Sequence, residues 1–276
     1  MSAARTSRAN TTSHRPDTQI AERIEGGLDD EGGINDDARL QQQLALIKRL
    51  DCDLLGLQEA TWGARSPRTA EAVAAELGMD WKFLGPSNFY GCDLAAFVRV
   101  GDHLTVDDVT YLTGPPFVHG LANVTLRIKG HPRPVQFLVG HSAPSAPTAR
   151  LAEAEMITVH RKQDAIYVAD CNAISLTDDL EVSGIDPVKA GKLDTRPAQA
   201  LAAAGLLDVG ALLGDRTPTV GHHREDSLAF RCDRIHTNLP AAWITGYGVE
   251  TGGDHLSDHR PVWAEITFGE TGGPTS

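Results

Sequence analysis

Ala165-Ile166-Tyr167-Val168-Ala169-Asp170-Cys171-Asn172-Ala173 is the stretch on which the reading turns. Its apolar run, with β-branched Ile166 and Val168, describes a strand buried on both faces, the kind found in sheets covered on both sides. The run ends in Asp170 and Asn172, two positions apart, so that in extended geometry both side chains lie on one face. A carboxylate beside a carboxamide can coordinate a hard cation or accept a proton while the amide donates to a phosphate oxygen. Asx residues after a strand are also ordinary turn formers, so the motif needs company.

Three other runs supply it. Leu54-Leu55-Gly56-Leu57 delivers Gln58-Glu59, an acid at the C-terminal end of a buried strand. Phe137-Leu138-Val139-Gly140 delivers His141 into the small-residue turn Ser142-Ala143-Pro144. Arg231-Cys232-Asp233-Arg234-Ile235 is followed by Ser257-Asp258-His259-Arg260-Pro261-Val262, an Asp–His dipeptide just before a final strand. Taken singly, a strand-end Glu is usually solvated and a core-edge His usually bonded to a backbone carbonyl. Together the four runs share one property, an apolar strand ending in a group able to bind metal or move a proton. Asp233 on a neighbouring strand could orient the His259 imidazole and hold the tautomer needed for base catalysis.

Around these runs, helices and strands alternate. Asn35 can cap a helix with the stripe Leu40, Leu44, Ile47 and Leu50. Ser66-Pro67 opens a second helix that Gly78 closes. A third is expected near 148–160 and a fourth from Pro197 to Gly205. Strands are expected at 53–57, 94–100, 121–128, 134–140, 165–169, 229–236, 242–247 and 261–267. Adjacent strand pairs outnumber β-helix-β units, which favours mixed sheets packed face to face with helices outside. No repeat or linker divides residues 1–268, read as a single domain. Residues 17–37, with eight acids against Arg23 and two Gly-Gly pairs, read as a solvated loop, and 269–276 as a frayed tail.

A net charge of −12 lacks the footprint of nonspecific nucleic-acid binding, which rests on Lys and Arg neutralising phosphates. Cys52, Cys92, Cys171 and Cys232 have no short zinc-knuckle or redox spacing and read as free thiols in a reducing compartment. The first twenty residues have no apolar signal core, and no run reaches the roughly 18 apolar residues of a membrane helix. The expectation is a cytoplasmic, single-domain enzyme acting as a monomer.

In order, Gln58-Glu59, His141, Asp170-x-Asn172, Asp233-Arg234-Ile235 and Ser257-Asp258-His259-x-Pro261 resemble the endonuclease/exonuclease/phosphatase superfamily, from about Asn10 to Phe268. The His141-Ser142-Ala143-Pro144 string is similar to that of deoxyribonuclease I; apurinic endonucleases typically carry tyrosine where His141 stands. The resemblance implies a four-layer α/β sandwich, two mixed β-sheets face to face with helices on the outer faces and the site at one sheet edge. It implies Glu59 as principal Mg²⁺ (or Mn²⁺) ligand with Asn10 nearby from the first strand, and Asp258 completing a metal site. Asp170 would be a ligand or proton-transfer group, and Asn172 would hold the phosphate. His259, oriented by Asp233, would activate water, and His141 would be the second imidazole, acid to the leaving oxygen or donor to the phosphate. This chain departs from the family in having Ala169 and Cys171 where Gly-Asp-Phe/Leu-Asn is usual. In deoxyribonuclease I a glutamate pairs with the histidine matching His141; the nearest acid here is Asp93.

The expected activity is divalent-metal-dependent hydrolysis of phosphodiesters by in-line water attack, an endonuclease among the candidates. The alternative is a phosphatase or phosphodiesterase of a small molecule or headgroup, which suits the acidic charge. A non-catalytic scaffold on the same fold is a third reading. His222-His223 falls in a Gly-Thr-Pro-rich segment (214–227) read as a solvated loop. Lys189, Lys192 and Arg196 form a modest basic cluster able to approach a phosphate.

Overall fold

The computed structural model describes residues 2–5, 17–22, 37–61, 67–89, 91–178, 180, 185–222 and 227–268. Two mixed sheets stack face to face. The first contains β1 (Ser2–Arg5), β2 (Asp17–Glu22), β3 (Leu54–Leu57), β4 (Trp81–Gly85), β5 (Leu94–Val98), β12 (Ile244–Val249) and β13 (Val262–Thr267). Their order is β12-β13-β1-β2-β3-β5-β4. The second contains β6 (Leu104–Gly114), β7 (Phe117–Ile128), β8 (Val135–His141), β9 (Asp164–Asp170), β10 (Leu207–Asp208) and β11 (Asp233–Thr237), in the order β10-β11-β9-β8-β7-β6. Helices α1 (Asp37–Leu50) and α2 (Pro67–Leu77) accompany the first sheet, and α3 (Pro147–Ile157) and α5 (Arg196–Ala203) the second. The single-turn helices α4 (Pro187–Ala190) and α6 (Val209–Leu212) sit in connections. No helix among the described residues is long and apolar enough to cross a membrane.

The layers follow from which faces are apolar. Leu54, Ala96 and Val98 of the first sheet meet Val124, Phe137, Val139, Ile166, Val168 and Ile235 of the second in the central core. The opposite face of the first sheet, Leu55, Leu57 and Phe97, is covered by Leu44 and Ile47 of α1 and Val73 and Leu77 of α2. Leu138, Tyr167 and Ala169 pack under Ala154, Ile157 and Leu201 of α3 and α5. Strands β3, β8 and β9 are therefore buried on both faces, as their unbroken apolar runs predict. Each fully buried Leu or Val contributes roughly 1.5–3 kcal/mol by leaving water, so a one-residue slip of these strands finds no compensating register. The sheets approach each other closely at Gly56: a Cβ there would stand 2.6 Å from Val168 Cγ2.

Several expectations need correction. The segment 17–37 is not wholly a loop, because Asp17–Glu22 is a strand running parallel to β3, with Ile20 opposite Leu54. Pairing on both flanks, with β1 and β3, makes it a strand despite its acidic composition; residues 23–36 lie outside the described residues, as do the capping positions Asn35 and Ser66. Strands β4 and β6 were not expected. Both carry exposed positions along their length and lie at sheet edges, where alternation replaces the apolar run. The third helix ends at Ile157 and is followed by a 3₁₀ turn, Thr158–Lys162. All four cysteines are free thiols.

Candidate catalytic site at one sheet edge

Topology brings the sequence-separated groups to one end of the sandwich. Strands β8 and β9 run parallel and finish together, with His141 directly opposite Asp170. Strand β11 runs antiparallel to β9 and begins there, with Asp233 opposite Asp170 on the other side. In the facing sheet Glu59 follows the end of β3, and Ser257–Pro261 leads into β13, which enters at the same edge. The second sheet thus presents His141, Asp170, Asn172 and Asp233, and the first presents Glu59 and His259.

The imidazole of His259 is fixed through its Nδ1, which lies 2.8 Å from Asp233 Oδ2. Asp233 is fully buried. Its carboxylate sets the tautomer, Nδ1–H toward Asp233, and leaves proton exchange to Nε2. Two further contacts hold the pair in place. The backbone N–H of His259 donates to Ser257 Oγ at 3.2 Å. The hydroxyl oxygen of Thr219 accepts from the backbone N–H groups of Cys232 (2.9 Å) and Asp233 (3.0 Å), while the Thr219 carbonyl accepts from Arg260 N. Thr219 therefore ties the Asp233 strand to the His259 loop, a role with no signature in the sequence.

Asp170 is the hub. Its Oδ1 accepts from Asn172 N at 2.8 Å and from the Cys232 thiol at 2.8 Å, and its Oδ2 accepts from Asn172 Nδ2 at 2.7 Å. His141 Nε2 stands 3.3 Å from the same Oδ2 and 3.9 Å from Glu59 Oε1. Burial pushes the Cys232 thiol well up, and the neighbouring Asp170 and Asp233 add to this, so the sulfur carries its proton in that bond.

Asn172 corrects the expectation of an extended Asp-x-Asn. Its φ is +47°, a left-handed conformation that turns the backbone N–H and the side-chain amide back onto Asp170. Its two amide hydrogens go to Ser142 O (2.8 Å) and Asp170 Oδ2, and its Oδ1 accepts from the Lys192 ammonium. The amide has no donor left for a phosphate in this arrangement; flipping it would set its oxygen against the Ser142 carbonyl. The cation expected only to approach a phosphate, Lys192, is the group that reaches the site. Arg196 is paired with Asp194, and Lys189 is exposed on α4.

Around His141 the structure supplies groups that sequence reasoning missed. His119, from the start of β7, stacks on the His141 ring with centroids 4.0 Å apart and planes 5° off parallel. Its Nδ1 is 2.9 Å from Ser87 Oγ. Asp93, the nearest acid to the position of the deoxyribonuclease I glutamate, accepts from Ser87 N at 2.8 Å, and burial raises its carboxyl. Glu153 of α3 accepts from Val118 N and Ala143 N, pinning the start of β7 and the turn after His141. Burial raises this carboxyl too. A lone Glu inside a helix gives no sign that it caps strand ends far away in the chain.

Glu59 also sits at a positive φ, +56°, immediately beyond its strand. Two non-glycine residues in this costly region at one site, Glu59 and Asn172, mark backbone held in place by its surroundings. Asp258 is exposed and lies outside the Asp170–Cys232–His259 cluster. Asn10 lies outside the described residues. Strand β1, the expected source of Asn10, runs antiparallel to β3, so its C-terminal end at Arg5 is at the edge remote from Glu59. Within the 214–227 segment the His222 side chain is tucked in rather than solvated: it is 5% exposed and 3.7 Å from Asp254, which Arg260 holds through Nε and Nη2. His223 lies outside the described residues.

The donor set fits a hard cation. The carboxylates of Glu59 and Asp170 both lie near His141 Nε2, at 3.9 and 3.3 Å, and Mg²⁺ is typically held by one or two carboxylates with water and substrate completing its shell. A base oriented by a carboxylate, a second imidazole and an ammonium face the same edge, the parts required for hydrolysis of an anionic ester.

No protein-family model and no curated protein matches the chain. Solved structures do match. An endonuclease/exonuclease/phosphatase from Bacteroides vulgatus superposes with TM-score 0.69 at 14% identity, covering 92% of this chain and 99% of that one. The 3′ phosphatase NExo from Neisseria, bound to a product DNA hairpin, gives TM-score 0.67 at 19% identity over 91% and 99%. The mannosyl-6-phosphatase of Bacteroides thetaiotaomicron gives 0.60 at 16% over 90% and 98%. The chain shares the four-layer sandwich of these proteins, so the resemblance read from its motifs holds for the fold.

Proposed function

We propose that the chain hydrolyses phosphoesters, phosphodiesters in the first place, using Mg²⁺ or Mn²⁺ held by Glu59 and Asp170. The observation that carries this reading is the Asp233–His259 pair, whose oriented imidazole belongs to the same cluster as Asp170 at the sheet edge. The bound ion would supply charge neutralisation at the phosphate. His259 Nε2 takes a proton from the attacking water, and Asp233 stabilises the resulting imidazolium. His141 gives a proton or hydrogen bond to the departing oxygen. Lys192 offsets charge on the phosphate, and Asn172 positions both Lys192 and Asp170. Similar solved structures include a 3′ phosphatase bound to a product DNA hairpin and a mannosyl-6-phosphatase, so the fold suits both polymeric and small substrates.

A small-molecule phosphoester is the second reading, favoured by the net charge of −12, which opposes a polyanion. Hydrolysis at neutral pH with Mg²⁺, with and without EDTA, separates the readings: supercoiled plasmid, single-stranded RNA, bis-p-nitrophenyl phosphate and p-nitrophenyl phosphate. EDTA-sensitive nicking or RNA degradation makes the chain a nuclease, and turnover of the small esters alone makes it a metabolite phosphoesterase. Silence on all four, together with no Mg²⁺ or Mn²⁺ binding by calorimetry, would contradict the proposal and favour a scaffold.

A further inference from the structure

Cys232 stands between Arg231 and Asp233 in the chain, and its thiol bonds to Asp170 of the hydrolytic edge. A carboxylate oxygen of Asp170, the sulfur of Cys232 and a ring nitrogen of His259 lie within 4.8 Å of one another. The Glu59–Asp170 pair offers only oxygen. The Asp170–Cys232–His259 set adds sulfur and nitrogen, donors that favour zinc-class ions over Mg²⁺. These are two donor sets of different softness sharing one carboxylate.

Each of the three ligands is already braced. His259 commits Nδ1 to Asp233 at 2.8 Å, so ligation falls to Nε2, and a carboxylate behind a ligating histidine is the arrangement that orients imidazoles on zinc. Asp170 is held by the backbone and side-chain N–H groups of Asn172. Cys232 is fixed through its backbone, its N–H bonded to Thr219 Oγ1 and its carbonyl to Cys171 N. Tetrahedral zinc with ligands at roughly 2.0–2.3 Å needs donor atoms somewhat under ~4 Å apart, a contraction within side-chain reach. Asp170 and Cys232 are buried, while the His259 side chain is 12% exposed, leaving the fourth position on the solvent side. Of the other two buried thiols, Cys52 packs in the apolar layer beneath α1 and α2, and Cys171 in the layer beneath α3 and α5.

We propose that Asp170, Cys232 and His259 form a binding site for a zinc-class ion, and that filling it shuts off the hydrolytic edge. The consequence for activity rests on the phosphoesterase reading; the binding site does not. Capture of His259 Nε2 removes the base, and capture of Asp170 removes a carboxylate from the Mg²⁺ donors. The thiol proton leaves to solvent as the sulfur is ligated. Mg²⁺ would then support activity that Zn²⁺ or Cd²⁺ opposes through Cys232.

The test is titration of the whole, reduced chain with Cd²⁺, reading the ultraviolet thiolate-to-metal charge-transfer absorption, alongside Zn²⁺ inhibition at fixed Mg²⁺. Wild type, Cys232→Ser, Cys232→Ala and the control Cys52→Ser are compared, each checked for folding by circular dichroism. The absorption should saturate near one equivalent in wild type and Cys52→Ser and vanish in both Cys232 variants. The half-inhibitory Zn²⁺ concentration, taken relative to each variant's own Mg²⁺-supported rate, should rise roughly 10–100-fold without the thiol, the usual scale for weakening a metal site. No absorption in wild type, or absorption that persists without Cys232, would overturn the site. An absorption lost with Cys232 from a protein that hydrolyses nothing would uphold the site and sink the phosphoesterase reading instead.

Discussion

Two buried polar clusters flank Cys232, and they are wired in opposite ways. On one side Arg231, with no exposed surface, gives Nε to Asp178 at 2.9 Å and its two terminal nitrogens to Asp208 at 3.0 Å each, with Ser175 and Thr177 hydroxyls at 2.7 and 2.9 Å. On the other side Asp233 holds His259 at 2.8 Å, while Asp170 and Glu59 face His141 in looser geometry. His141 Nε2 is 3.3 Å from Asp170 and 3.9 Å from Glu59, and its buried Nδ1 has no hydrogen-bond partner among the described residues. Burial alone would raise the carboxyl of Asp208, but Arg231 outweighs it and holds the group well below the usual carboxylate range. A cluster that satisfies every donor builds structure. One that leaves imidazole edges with long or missing partners is set to bind and to move protons.

The comparison breaks most visibly if the satisfied cluster is cut. Arg231→Met leaves Asp208 and Asp178 buried without their counter-charge, and a stability loss of roughly 3–5 kcal/mol is expected in urea unfolding. His236 belongs to the same structural side. Burial lowers it from 6.5 to about 4, with Asp208 partly opposing, and it sits neutral with Nε2 facing Arg234 Nε at 3.3 Å. Its folded value is depressed, so the unfolded chain takes up the proton first. Its stabilisation is complete above about pH 6.5 and falls away as pH drops toward about 4, by roughly 3 kcal/mol. Unfolding measured across that window should show a slope that His236→Gln removes.

On the catalytic side the expected changes are in rate. Glu59→Ala should lower turnover roughly 10²-fold or more and abolish Mg²⁺ binding in calorimetry, with little loss of stability because the side chain is partly exposed. Lys192→Ala should have the smallest effect, about tenfold in kcat/KM, worth ~1.4 kcal/mol. Its loss should appear mainly in KM if the ammonium binds substrate and transition state alike.

How much of this was legible follows the range of the interactions. The buried strands β3, β8 and β9 announce themselves because both their faces are apolar, and α1 because Leu44 and Ile47 recur at helical spacing. Glu59, His141, Asp170, Asp233 and His259 were readable as polar residues ending such runs. Strand β2 was hidden by its acidic composition, and β4 and β6 by their exposed positions. The left-handed turn at Asn172, which redirects the amide from a substrate to Asp170, is set by Ser142 and Lys192, distant in sequence. Thr219, Glu153 and His119 act across long separations as well, and no local pattern marks them.

The central claim is that His259, oriented by Asp233, transfers the proton in a metal-assisted hydrolysis. Its most direct measurement is kcat for bis-p-nitrophenyl phosphate with saturating Mg²⁺, comparing wild type with folded His259→Ala in the presence and absence of added imidazole. The account predicts a fall of roughly 10²-fold or more that imidazole partly restores. A His259→Ala protein that turns over at the wild-type rate, with EDTA still abolishing that rate, would contradict it.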